Sequence, residues 1–261
     1  MTLLKHELRQ SRTTLFIWLS AIGGLLMVCM FLYPEMRGEM DQMGEMFSSM
    51  GAFTAAFGME RLNFGTFFGF YAIECGNILG LGGALFAGMT AASVLSKEEQ
   101  EGTGEFLLTH PVSRTRVAAE KLGSVLLQVL ILNIAIYLLA IGSAQVIGEE
   151  IPWKELTLLH LSYFFLQIEL AGLSFGLSSI MRRGSLGAGL GVAAGAYFLS
   201  LIANISEGAK WLRYVTPFAY ASGADIMMES ALELPLVALG MTYGLAGIAF
   251  GFFWYSRKDM K

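Results

Sequence analysis

Six long apolar stretches constrain the fold of this 261-residue chain more than any other feature. A bilayer core takes about 20 apolar residues of helix, and the stretches that reach this length are 14–33, 67–95, 122–147, 156–181, 185–205 and 235–255. Lipid offers no hydrogen-bond partners, so a spanning segment must pair its own backbone groups. The sequence therefore predicts an all-α, polytopic membrane protein with six transmembrane helices and one transmembrane domain, 1–261.

Composition agrees with this prediction. Charged residues make up 15% of the chain and hydrophobic residues 55%, whereas a soluble domain carries about 25% charge. The loops are short, so a water-filled pocket has room only between helices or on another chain. Cys29 and Cys75 fall in apolar stretches and form no CxxC pair, so we expect two small buried residues without a zinc or redox role.

The positions of the basic side chains predict the orientation. With the N-terminus inside, 12 of the 17 Lys and Arg residues fall in inside segments and five in outside segments. Short inside loops are enriched in Lys and Arg, so we expect both termini in the cytoplasm. The first apolar run is too long for a signal peptide and predicts a retained anchor helix.

The N-terminal segment 1–13 is amphipathic. Leu3, Leu4 and Leu8 share one helical face, and the basic residues lie away from it. This pattern predicts an interfacial helix on the cytoplasmic membrane surface. The alternative is a simple extension of the first span.

The predicted outer segment 36–50 carries an apolar stripe at helical spacing, formed by Met36, Met40, Met43, Phe47 and Met50. One hypothesis is a thioether site for Cu(I) at Met40, Met43 and Met46. The other is a Met-faced helix packed on the bundle, on lipid or on a second protomer. We favour the second because no Cys or His accompanies the methionines.

The largest inside loop, 96–121, predicts a helical hairpin. Ser96 and Glu99 fit a capping box, so a helix is expected to begin there and run to about Leu108. Pro111 then ends it, because proline cannot continue the backbone hydrogen-bond ladder. Ser113 is expected to cap the next helix, which leads into the third span.

The charge pattern of this hairpin indicates a docking surface for protein. Acidic residues come first, apolar Phe106, Leu107 and Leu108 follow, and Arg114 and Arg116 come last. A lipid anchor would be basic throughout. The alternative is a solvated turn between two spans.

Two acidic residues lie within predicted spans. Glu169 is near the middle of the fourth span, two residues after Gln167, and Glu74 is in the second. A charged side chain at the bilayer centre costs about 2.5–3.5 kcal/mol on insertion scales. Glu169 could be protonated and bonded to a neighbouring helix, line a substrate path, or relay protons as in a proton-coupled secondary transporter. Glu74 and Gln167 are further candidates for lining such a path.

Glycines at four-residue spacing predict close helix packing. Gly187, Gly191 and Gly195 in the fifth span form the longest such series, and they predict a seam within the protomer or between protomers. Shorter pairs occur in the fourth and sixth spans, namely Gly172 with Gly176 and Gly240 with Gly244.

The sequence lacks the common catalytic motifs. It contains no G-x-x-x-x-G-K-[ST] phosphate loop, no HExxH and no GxSxG, and its three histidines are dispersed. We therefore expect no enzymatic activity, and no cofactor, metal site or nucleic-acid partner of the chain's own.

Residues 98–114, EEQEGTGEFLLTHPVSR, resemble the hairpin signature of ABC-2 type transporter permeases. The segments 216–220 and 224–226 are similar to the stretch before the last span in many bacterial members. Gly104 departs from the family pattern, which usually has a larger residue at this position.

The resemblance implies a permease of an ATP-driven exporter in the bacterial cytoplasmic membrane. Such permeases work as dimers with a pair of ATPase subunits, which are separate chains that hold ATP and Mg²⁺. The hairpin 96–121 would then be the coupling helix. The residues that match the family motif, and so would contact the ATPase, are Glu98, Glu101, Gly102, Thr103, Glu105, Leu107, Leu108, Pro111 and Arg114.

Overall fold

The computed structural model describes residues 2–48, 54, 66–102, 112–181 and 186–258, and all regular secondary structure in them is helical. In chain order the helices are α1 (Thr2–Ser48), α2 (Phe67–Cys75), a π-helix (Gly76–Leu81), α3 (Gly82–Val94), α4 (Lys97–Glu101), α5 (Arg114–Ile147), α6 (Trp153–Ile180), α7 (Leu186–Ile205), two 3₁₀ helices (Glu207–Tyr214 and Pro217–Ala219), α8 (Gly223–Glu229) and α9 (Leu234–Arg257).

Within the described residues, six helical segments are long and apolar enough to cross a membrane: Leu3–Gly38, Phe67–Val94, Arg114–Ile147, Trp153–Ile180, Leu186–Ile205 and Leu234–Arg257. These segments confirm the predicted all-α architecture with six spans. The second of them contains α2, the π-helix and α3 without a break.

Helix α1 is longer than the predicted first span. Residues 2–13 are its first turns, and the Leu4 amide donates a hydrogen bond to Glu120 Oε2 on α5 (3.1 Å). Lys5, Arg9 and Arg12 are exposed, as the amphipathic pattern indicated. The interfacial position of residues 2–13 stays a prediction, because the structure shows these residues as a continuous part of α1.

The same helix continues through Pro34 to Ser48. The predicted outer helix over 36–50 is therefore joined to the first span as far as Ser48. The side chains of Met40, Met43 and Met46 lie outside the described part of the chain, so the two hypotheses for the methionine stripe stay predictions.

Helix α6 is the centre of the bundle. It packs mainly against α9 and α3, and less extensively against α5. Leu159, Leu166 and Leu170 on α6 are fully buried. Large apolar side chains on the outer helices are exposed, among them Phe16 on α1, Phe198 on α7 and Leu245 on α9, and such a surface suits contact with lipid.

Glycines allow α6 and α9 to approach closely. A Cβ added at Gly172 would lie 2.4 Å from the carbonyl oxygen of Gly244, and one added at Gly176 would lie 2.6 Å from that of Gly247. Of the glycines predicted to pack in the fourth and sixth spans, Gly172, Gly176 and Gly244 thus lie at this contact, whereas Gly240 lies against Glu169. Between apolar helices in lipid, such close packing is the main source of attraction.

The glycine series in the fifth span has a different position. Helix α7 packs on α3 through Gly189, whose added Cβ would lie 2.3 Å from the Gly88 carbonyl oxygen. Gly191 and Gly195 have nothing within 4 Å of an added Cβ, and Gly187 is exposed. Gly189 is two residues from Gly187 and Gly191, roughly 200° around the helix, so the series points away from this contact. Packing of the series against a second protomer stays a prediction.

The close contact between α6 and α9 at Gly172 predicts a stability difference between two alanine variants. Gly172→Ala places a methyl group against the α9 backbone, and overpacking of this kind costs about 1–3 kcal/mol. Gly142→Ala is the matched control, because nothing lies within 4 Å of its added Cβ. Thermal unfolding of the detergent-solubilised protein should occur at a lower temperature for Gly172→Ala only. Equal unfolding midpoints for the two variants would contradict this account of the α6–α9 contact.

Candidate functional site at the hairpin end of the bundle

The candidate site is the base of the hairpin 96–121. Its first arm is α4, and its second arm is residues 114–121 at the start of α5. The first turns of α1 and the last turn of α9 lie at the same end of the bundle, since Glu7 on α1 and Lys258, the residue after α9, contact the arms directly. We call this the hairpin end.

The first arm begins where predicted but is shorter. The Gln100 amide donates to the Ser96 carbonyl (3.1 Å), and the helix ends at Glu101. Gly102 has φ +68°, a left-handed conformation that glycine adopts readily and that commonly ends helices. The prediction of one helix running to about Leu108 is therefore wrong, because the turn at Gly102 interrupts it.

The second arm begins as the sequence predicted. Ser113 has an extended backbone, and its side chain accepts a hydrogen bond from the Arg116 amide (3.3 Å), which is an N-cap. Arg114 follows, and its guanidinium donates to the backbone carbonyl of Lys258.

Most of the predicted ATPase contacts lie outside the described residues. Glu98 and Glu101 belong to α4, but their side chains are not among those described. Thr103, Glu105, Leu107, Leu108 and Pro111 lie outside the described residues altogether. Their roles stay predictions, and the described part of the site is its base.

A single carboxylate on α1 contacts both arms. Glu7 Oε1 lies 3.2 Å from Lys121 Nζ on the second arm, and Glu7 Oε2 lies 3.8 Å from Lys97 Nζ at the first arm. Lys121 is fully buried and also donates to the carbonyl of Val94, the last residue of α3 (2.7 Å). A buried charge is tolerated only with such partners, so this pair fixes α1, α3 and α5 together.

A single lysine after α9 also contacts both arms. Lys258 Nζ lies 2.6 Å from Glu99 Oε2 on the first arm and donates to the Met181 carbonyl beyond α6 (2.6 Å). Its own carbonyl accepts the bond from Arg114 on the second arm. Lys258 therefore ties the hairpin to the C-terminal ends of α6 and α9.

Glu169 has a partner from the segment before the last span. Tyr220 donates a hydrogen bond to Glu169 Oε2 (2.8 Å), and Glu169 is 1% exposed. A Cβ added at Gly240 on α9 would lie 2.1 Å from the same oxygen, so glycine makes room for the carboxyl group. Burial, and then the neighbouring carboxyl group, raise the pKa of the Tyr220 phenol, which keeps it a hydrogen-bond donor.

The other intramembrane polar residues lie apart from Glu169. Gln167 faces α5, where its Oε1 accepts from Asn133 Nδ2 (2.7 Å). Glu74 is half-buried against Cys29 of α1, with Sγ 3.9 Å from its Oε2. Gln167 and Glu169 are two residues apart and so point to opposite sides of α6. The structure does not bring the three residues into one cluster.

Chemically, the site offers paired charges and hydrogen bonds. Among the described residues, no group of three or more His, Cys, Asp and Glu side chains is arranged to hold a metal ion. Among the described acids at the hairpin end, Glu7 and Glu99 are paired with lysines and Glu120 is paired with Arg116.

The family model for the ABC-2 family transporter protein matches residues 1–260. The chain belongs to the ABC-2 transporter family. No curated protein matches it in a sequence search. This ABC-2 protein is thus a multi-pass membrane protein and a permease of an ABC transporter.

Sequence reasoning missed both residues that bridge the arms of this ABC-2 protein. One signal was present for Glu7, which follows Leu3 by four residues and Leu4 by three and so lies on the apolar face of its helix. An acid on such a face predicts a buried partner. No comparable signal existed for Lys258 and Glu99, which are far apart in the sequence.

The Tyr220–Glu169 bond predicts unequal effects of two conservative variants. Tyr220→Phe leaves a buried carboxyl group without its partner and should destabilise this ABC-2 protein by about 1–3 kcal/mol. Glu169→Gln keeps an acceptor oxygen and should be less destabilising. Tyr214→Phe is the control, since Tyr214 is 61% exposed. Thermal unfolding in detergent is the measurement, and equal midpoints for Tyr220→Phe and Tyr214→Phe would contradict the structural role of this bond.

Proposed function

We propose that this ABC-2 protein is the permease subunit of an ATP-driven exporter in the bacterial cytoplasmic membrane. The hairpin 96–121 couples it to a separate ATPase. The observation that carries the proposal is the anchoring of the hairpin base by Glu7 and Lys258 in a chain of this family. A loop that served only as a solvated turn would not need two buried ion pairs at its base.

The connections of the hairpin suit this role. Its first arm follows α3 directly and its second arm is the start of α5, and both helices belong to candidate spans. Force applied to the hairpin would therefore reach two spans without an intervening flexible segment. The sequence of the hairpin, with acids followed by apolar residues, has the character of a protein-docking surface.

The proposed orientation places the hairpin end in the cytoplasm. The excess of Lys and Arg on that side follows the positive-inside rule. The ion pairs of Glu7 and Lys258 with the arms put both terminal helices at the hairpin end, and an even number of spans requires the same. An ATPase in the cytoplasm would then have access to the hairpin.

The proposed partners are a pair of ATPase subunits and a second permease protomer. The sequence has no phosphate loop, so ATP and Mg²⁺ would bind on the ATPase chains and hydrolysis would occur there. The open glycine face at Gly187, Gly191 and Gly195 is a candidate contact for the second protomer. Membrane lipid would cover the remaining apolar surface.

The alternative of proton-coupled transport through Glu169 has less support. Its carboxyl group accepts a bond from Tyr220 and packs against Gly240, which fits a bonded structural residue. A proton-coupled transporter would also not require an anchored docking hairpin. Flux driven by a pH gradient in the absence of ATPase, and abolished in Glu169→Gln, would favour this alternative.

Charge reversal in the first arm and beyond it tests the coupling role. The double variant Glu101→Lys, Glu105→Lys should lose co-purification with the cognate ABC ATPase, because it reverses the acidic docking surface. Stimulation of ATP hydrolysis by the permease should fall with it. Both are measured on co-expressed protein in detergent or nanodiscs.

The matched control is Glu150→Lys, Glu229→Lys, which makes the same charge change at exposed positions away from the hairpin. This control should bind the ATPase as the unsubstituted protein does. Normal binding and normal stimulation by the Glu101→Lys, Glu105→Lys variant would rule out the proposed docking surface.

A further inference from the structure

Glu7, near the start of α1, and Lys258, after α9, each contact both arms of the hairpin. Glu7 contacts Lys121 on one arm and Lys97 at the other, and both contacts come from a single carboxylate. Residues 97 and 121 are on opposite sides of the loop, so this carboxylate closes the base of the hairpin.

The second set of contacts is made by Lys258, after α9. Lys258 pairs with Glu99 on the first arm through its side chain, and it accepts a bond from Arg114 on the second arm through its carbonyl. The side chains of Glu99 and Lys258 are only 9% and 10% exposed. Ion pairs this far from water are screened little by solvent.

We propose that Glu7 and Lys258 are positioning residues for coupling. Each bridges the two arms of the hairpin, so the hairpin, the start of α1 and the end of α9 move as one body. This inference rests on the proposed function, because it assigns the helices that receive the movement of the hairpin. It extends that function from α3 and α5, which are continuous with the arms, to α1 and α9, which are not.

The geometry supports a mechanical role beyond added stability. One ion pair between α1 and α5 would be enough to hold those helices together. Here the second oxygen of Glu7 faces Lys97, and the backbone of Lys258 receives Arg114, so each bridging residue has a contact on each arm. Loss of one contact should let the arms separate in a protein that is still folded.

Spin-label distances in the permease alone test whether Glu7 and Lys258 hold the two arms together. Labels at Gln100→Cys and Ala119→Cys, exposed positions on the two arms, report the distance between the arms in nanodiscs. Cys29 and Cys75 are replaced by serine. Lys97→Gln releases the half-exposed contact of Glu7 but keeps its buried partner, and Lys258→Met releases Glu99. Both variants should lose the narrow distance distribution of the unsubstituted protein and shift to longer distances.

The matched controls are Glu207→Gln and Lys210→Met, which break an ion pair of 2.6 Å on an exposed 3₁₀ helix away from the hairpin. They should leave the distribution unchanged. A distribution in Lys97→Gln and Lys258→Met that is as narrow as in the controls would overturn the inference. Size-exclusion profiles identify any variant that fails to fold, and either variant alone suffices for the test.

A second measurement follows the movement in the complex with the ATPase. With labels at Arg9→Cys on α1 and Gln100→Cys on the first arm, trapping with ATP and vanadate should leave the distance unchanged in the unsubstituted complex. The same trapping should change it in Lys97→Gln, since the arm then moves without α1. An unchanged distance in that variant would overturn the inference. Failure of the unsubstituted permease to bind any ATPase would instead overturn the proposed function. The distances between the arms in the permease alone would still test whether Glu7 and Lys258 hold the arms together.

Discussion

The inability of lipid to hydrogen-bond the backbone is the constraint on which this structure depends. It requires the chain to cross the membrane as helices, and it confines nearly all charged side chains to the two ends of the bundle. Short loops then place these charges close together. At the hairpin end they are paired, because Glu7 meets Lys121 and Lys97, and Lys258 meets Glu99. The same constraint that fixes the fold thus brings the ends of the chain to the hairpin.

The way in which the helices pack against each other also follows from the lipid environment. Lipid is as apolar as the side chains it contacts, so helices gain little by burying apolar area and depend on close approach. Glycines opposite backbone carbonyls provide this approach between α6 and α9 and between α3 and α7. The central position of α6 is therefore secured by small residues, and its polar side chains are bonded in different directions. Removing one partner of a buried ion pair costs about 3–5 kcal/mol of stability. The ion pairs at the hairpin end therefore also contribute to the rigidity of the hairpin base.

Local sequence signals predicted local features well. The length and apolar character of each span predicted six helices, Ser113 predicted the start of α5, and the spacing of Gly172 and Gly176 indicated a packing face. The helix from Ser96 was predicted too long, because Gly102 was treated as an ordinary helical residue. Backbone conformation at a glycine is not determined by its immediate neighbours alone.

Contacts between distant segments could not be predicted in this way. Glu99 and Lys258 meet because α4 and the end of α9 lie at the same end of the bundle, which depends on the packing of all six spans. Tyr220 reaches Glu169 only because the segment before α9 folds back onto α6. For the glycine series in α7, periodicity gave the spacing correctly, but it did not indicate which face of the helix meets α3.

Site-directed crosslinking is the most direct test of the central claim, that the hairpin is where a separate ATPase acts on this permease. Single cysteines would be placed in turn along residues 97–111 and at Glu150 as a distant reference, and the co-expressed complex would be treated with a short bifunctional maleimide. The account predicts crosslinks to the ATPase from hairpin positions and none from Glu150→Cys. An ATPase that co-purifies with the permease but crosslinks at no hairpin position would contradict it.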